Sequence, residues 1–173
     1  MASVILTLVG PDRPGMVNFV AAQVAAQGGS WLQSRMSHLA GHFAGIVLVS
    51  VPEAAIEALT ASLSGGAGLA VTVHRSEAPA LASDAPLLTL ELVCQDRPGI
   101  VRDISDVLSA QAVNIEELTT DLLSGSFSGE SLFRATIRLR LPETGTADGL
   151  REALERLSHD LMVDLRLNEE GAG

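Results

Sequence analysis

Apolar and polar positions along the chain change period in a fixed order. VILTLVG (4–10) is an apolar, β-rich run that predicts a strand. Beyond the corner GPDRPG, Val17, Val20, Ala21 and Val24 fall at i, i+3, i+4 and i+7, the spacing of one helix face. AQGG (26–29) closes that helix, its glycines suited to a C-cap. WLQSRMSHL and HFAGIVLVSV then read as strands around Ala40-Gly41, a hairpin turn, and Pro52 ends the second of them. EAAIEALTASL (53–63) is helical, and LAVTVHR (69–75) is a short last strand.

The whole order then returns. LLTLELVC (87–94) leads into a corner, and Ile100, Ile104, Val107 and Leu108 repeat the helical stripe up to AQAV (110–113). NIEELTTDLL and SLFRATIRLRL flank a Ser/Gly-rich turn, SGSFSGE, and FRATIRLRL alternates as a strand with one wet face does. Pro142 ends it, ADGLREALERL (147–157) is helical with Leu150, Ala153, Leu154 and Leu157 on its buried stripe, and LMVDLRL (161–167) closes the copy. Strand-helix-strand-strand-helix-strand, twice, is an α+β plan: two tandem ferredoxin-like βαββαβ domains, each an antiparallel sheet with helices on one face. The expected boundaries are residues 1–76 and 87–170, joined by a proline- and alanine-containing linker over 77–86.

Charge narrows the choice of partner. All 11 basic residues are arginine, against 21 acidic ones, so the net charge of −10 opposes attraction to nucleic acid or an anionic membrane surface. Arg134, Arg138 and Arg140 fall on one face of a strand and read as a solvated outer sheet face. The apolar N-terminal run has no basic residues before it and reads as a strand, and the single cysteine, Cys94, suits a reducing compartment; a cytoplasmic protein is expected. His38 and His42 flank a hairpin turn with no third ligand at metal spacing, and no nucleophile-base-acid order occurs, so neither a metal, a cofactor nor an enzyme is expected.

The recurring corner, GPDRPGMV (10–17) and CQDRPGIV (94–101), lies 84 residues apart (94 − 10). Proline suits the first helical position, aspartate before it can accept from first-turn N–H groups, and glycine just inside a helix costs about 1 kcal/mol against alanine. Two readings stay open. The corner is a turn the fold needs, or its free N–H groups and small glycine admit a carboxylate or phosphate.

Strand, Asp-Arg-Pro-Gly, amphipathic helix and a strand beginning at Asn-Ile resemble the ACT domain, a regulatory module, here in two copies over nearly the whole chain. With the Ser34-Arg35 pair in the second strand, the layout is similar to the glycine cleavage system transcriptional repressor family. The resemblance implies binding of a small amino acid, glycine or serine, between neighbouring ACT units near the corner and the start of the second strand. Carried over, those positions are Asp12, Arg13, Pro14, Gly15 and Ser30 in the first copy, and Asp96, Arg97, Pro98, Gly99, Asn114 and Ile115 in the second. Trp31 stands where Ile115 stands in the second copy, so the second is the expected binding copy, although Asn114 also suits a tight helix–strand junction. The resemblance further implies a homo-oligomer that regulates transcription through a DNA-binding protein partner; an assembly module without a metabolite is the alternative.

Overall fold

The structure is a computed structural model that describes residues 1–76, 86–124, 131–161 and 164–169. The linker interior and the tip of the Ser/Gly-rich turn lie outside the described residues. The chain divides into two compact units, Met1–Ala82 and Ser83–Gly173.

In the first unit β1 (Ala2–Pro11), α1 (Met16–Ala26), β2 (Ser30–Leu39), β3 (His42–Val51), α2 (Ile56–Leu63) and β4 (Ala70–Arg75) follow one another, with a 3-10 turn at Glu53–Ala55 leading into α2. The second repeats them as β5 (Leu87–Gln95), α3 (Ile100–Ala110), β6 (Asn114–Ser124), β7 (Ser131–Arg140), α4 (Ala147–Leu161) and β8 (Asp164–Glu169). The sheets run β2-β3-β1-β4 and β6-β7-β5-β8, with every pairing antiparallel. These are two ferredoxin-like units of the expected α+β type. Each has its own core: Val4, Leu6, Leu8, Val47 and Val49 pack with Val20 and Leu59 in the first, and Leu88, Leu90, Leu92, Ile137 and Leu139 with Ile104 and Leu150 in the second.

Two details differ from the periodic reading. Met16, Val20 and Val24 are the buried stripe of α1, while Val17 is exposed. Much of α1 is apolar on every side, so its sequence does not mark one face; α3, with Arg102, Asp103, Ser105 and Asp106, does. The other difference is that α4 continues to Leu161, so the last strand starts at Asp164. Both edge strands bulge at one repeat position, Leu32 and Glu116, where the pairing register shifts.

The ends of α1 and α3 give an internal comparison. Gly29 N–H donates to the Val24 carbonyl and Gly28 N–H to Ala25, a Schellman closure with Gly28 at φ 68°. Val113 and Ala112 make the same bonds to Leu108 and Ser109, but Ala112 must take φ 53° with a Cβ present. Ala112→Gly is therefore expected to stabilise the second unit by about 1 kcal/mol, read as a raised urea midpoint with unchanged slope. An unchanged or lowered midpoint contradicts this assignment of strain.

Candidate functional site

Each strand-to-helix corner is built on a glycine at the helix N-cap. Gly15 has φ 90° and ψ 0°, and Gly99 has φ 92° and ψ 0°, a left-handed conformation that side chains with a Cβ rarely adopt. Their carbonyls accept the first helical bonds, from Phe19 N–H at 2.8 Å and Asp103 N–H at 2.9 Å. The sequence reading of the corner is corrected on three counts. Pro14 and Pro98 precede the cap and are not the first helical residues, no side chain caps either helix, and the glycines lie at the cap and not inside the helix. The dihedral alone demands glycine: a Cβ on Gly15 would meet nothing within 4 Å. The strand ends are fixed to the neighbouring hairpin by Asp12 N–H to the Gly41 carbonyl and Asp96 N–H to Ser131, both at 2.9 Å.

Alike in backbone, the corners differ in charge. Arg97 donates to Asp103 Oδ2 at 2.7 Å, and Arg102 donates to Asp103 Oδ1 at 2.9 Å. Those hydrogen bonds, Arg97's first, hold the Asp103 carboxyl below the usual carboxylate range. Whatever stability this adds is present above the ordinary carboxylate range and is lost as pH falls through the lowered value. The second corner thus already holds a carboxylate from its own helix. In the first copy Phe19 occupies the Asp103 position and its ring packs over Gly66, while Asn18 replaces Arg102. The Arg13 side chain consequently has no carboxylate partner among the described residues. It lies along the turn that precedes β4, with Nη1 3.8 Å from where a Cβ on Gly68 would stand. Asp12 faces His38 Nε2 at 3.7 Å.

The other candidate positions are elsewhere. β2 runs parallel to β1, so Ser30, opposite Ser50, sits at the end of the sheet where Ala2 pairs with Val51. The corner follows Pro11, opposite His42, at the far end. Asn114, opposite Arg140, is likewise remote from Gly99, and its amide donates to Glu116 Oε1 at 2.9 Å. No single unit therefore offers its own corner and its own second-strand start to one small ligand. Ile115 points inward and lines, with Ile104, Leu118 and Phe133, a void of about 10 Å³, the space of one water at most. Asp103 and Arg102 were not recognised from sequence; the aspartate in the first turn of α3, where α1 has phenylalanine, is the signal that would have found them.

The remaining candidates have ordinary structural explanations. Arg134, Arg138 and Arg140 pair across the sheet with Asp121, Glu117 and Glu116, at 3.0, 3.6 and 3.0 Å. Cys94 is buried, and burial pushes its thiol pKa up. Among the described residues no three His, Cys, Asp or Glu side chains converge on a metal-sized site, and no helix is long and apolar enough to cross a membrane.

Comparison with known proteins matches residues 2–75 to the ACT domain. Over 167 residues, 95% of this chain and 88% of the relative, the chain is 22% identical to the glycine cleavage system transcriptional repressor of Escherichia coli. It is 36% identical over 76 residues to the UPF0237 protein MK1213 of Methanopyrus kandleri, covering 43% of this chain and 78% of that one. A crystal structure of an unknown protein from Galdieria sulphuraria superposes with a TM-score of 0.84 at 29% identity, over 98% of this chain and 99% of that one. Residues 2–75, nearly all of the first unit, are thus an ACT domain, and the second unit repeats its corner motif and its βαββαβ plan.

Proposed function

We propose that this chain is a regulatory protein that senses a small amino acid, glycine or serine foremost, and controls transcription in glycine and one-carbon metabolism through a DNA-binding protein partner. The observation that carries the reading is the extent of the similarity to the Escherichia coli repressor, which runs through both units and not one module alone. Charge supports the indirect route to DNA: at −10 overall, and with the arginines of β7 paired to carboxylates, the chain offers no phosphate-binding face of its own among the described residues.

Within that reading the first corner is the better carboxylate receptor. Its guanidinium is uncommitted and Gly15 opens onto free space, whereas Arg97 is already engaged by Asp103. The amino-acid carboxylate would meet the first-turn N–H groups of α1 and Arg13, and its ammonium group would meet Asp12. Regulation follows only if two states of the assembly differ in affinity for the ligand. Thermal-shift measurement with each amino acid tests this. One or two are expected to stabilise the chain, by about 2.7 kcal/mol at a hundredfold excess over Kd, and Arg13→Ala is expected to abolish the shift. No shift with any amino acid, alongside a stable complex with a regulator, establishes an assembly module instead.

A further inference from the structure

The helix-free faces of the two sheets occupy the same place in the same fold, yet their chemistry is opposite. Register fixes the equivalences. Around β5 the outer face carries Glu91, Arg134 and Arg138 on the central strands, Glu117 and Asp121 on β6, and Arg166 on β8. At the matching positions of the first sheet stand Thr7, Ala44 and Leu48, then Gln33 and Ser37, then Thr72. The second sheet shows what this surface looks like when it faces water: cross-strand ion pairs at 3.0 to 3.6 Å. The first keeps only Arg35 and His74 on its two edge strands and His42 at the end of β3. Its centre holds Ile5, Leu48, Val9 and Ile46, the last two 49% and 51% exposed.

We infer that the outer face of the β2-β3-β1-β4 sheet is a homodimer interface, occupied by the same face of a second copy of this chain. An apolar centre on β1 and β3, with Gln33, Arg35, Ser37, Thr72 and His74 on the flanking strands, is the layout of a buried interface with a polar rim. Charge selects the occupant. A two-fold interface sets each residue against its own kind or near it, so a face of one sign repels itself and a neutral face does not. On a chain of net charge −10 this sheet, whose one permanent charge is Arg35 on the edge strand β2, is the surface that approaches its own copy with least repulsion at the contact. A sheet bearing paired ions is a poorer match, since burial would strip water from every pair. The size is adequate. Three strands of ten residues about 4.8 Å apart, with the six of β4 beside them, span about 500 Å² in projection, and the corrugated side-chain surface approaches the roughly 800 Å² per partner of a standard interface.

Light scattering on the full chain at tens of micromolar tests this. The expected mass is that of a dimer, and Ile46→Glu is expected to halve it while leaving the circular dichroism unchanged. Thr136→Glu, at the same position of the second sheet, is expected to leave the mass unchanged. Gln33→Glu combined with Leu48→Arg transplants the ion pair of Glu117 and Arg138 into the first sheet; it retains a surface this fold already tolerates and is also expected to give a monomer. A monomeric wild type, a dimer that survives both changes, or one that Thr136→Glu dissolves equally well overturns the inference. These outcomes do not depend on amino-acid binding, so they stand apart from the thermal-shift result.

Discussion

Leu6→Ala is expected to remove about 3–5 kcal/mol from the first unit, the cost of truncating a core leucine whose surroundings collapse only in part. Leu6 is fully buried on β1, between Val47 of β3 and Val73 of β4, and faces the helices. A unit of this size has only several kcal/mol of stability in total, so the variant should be close to unfolded at physiological temperature. The readout is specific because Trp31, the single tryptophan, packs against the same core cluster. Its emission in urea follows the first unit, and the midpoint is expected to fall steeply. Leu90→Ala makes the equivalent cavity in the second unit, where circular dichroism detects it and no tryptophan does. A fall of less than about 1 kcal/mol for Leu6→Ala would show that the site refills, or that the two cores are not separate as described.

The duplication was legible because the corner is spelled almost identically twice and each element after it changes period in the same order. Strand and helix types followed, since alternation over FRATIRLRL and the four- and three-residue spacing of Ile100, Ile104 and Val107 each admit one structure. Where residues are apolar on all sides, as in α1, periodicity cannot choose a face, and Met16 replaced Val17. The corner glycines were misplaced for a different reason: a sequence names a glycine but not its φ, and only φ near 90° separates an N-cap from a helix interior. The candidate corners were marked by motif and not by geometry. Which corner has a free guanidinium depends on Asp103 reaching back six residues to Arg97, a contact that needs coordinates. The remoteness of Ser30 and Asn114 from their own corners follows from strand order, which a linear list of motif positions conceals.

Gly10→Ala is expected to destabilise the first unit by about 2–3 kcal/mol, near the upper end of ordinary overpacking costs. Gly10 is buried at the end of β1, and a Cβ there would stand 2.6 Å from the Gly68 carbonyl oxygen and 3.3 Å from Leu69 Cα. Both are backbone, so no side chain can rotate away. The equivalent residue of the second unit is Cys94, whose larger side chain is accommodated at the end of β5, so the fold itself does not require glycine here. The 3-10 turn at Gly66–Gly68 imposes it by crossing the strand end. Relief can come only from moving that turn, and the Arg13 guanidinium lies along it. Gly10→Ala is therefore expected to lower the Trp31 urea midpoint and to weaken the amino-acid shift together, while Cys94→Ala changes each much less. A variant that loses stability but keeps the full ligand response would detach Arg13 from the turn and place carboxylate recognition elsewhere on the unit.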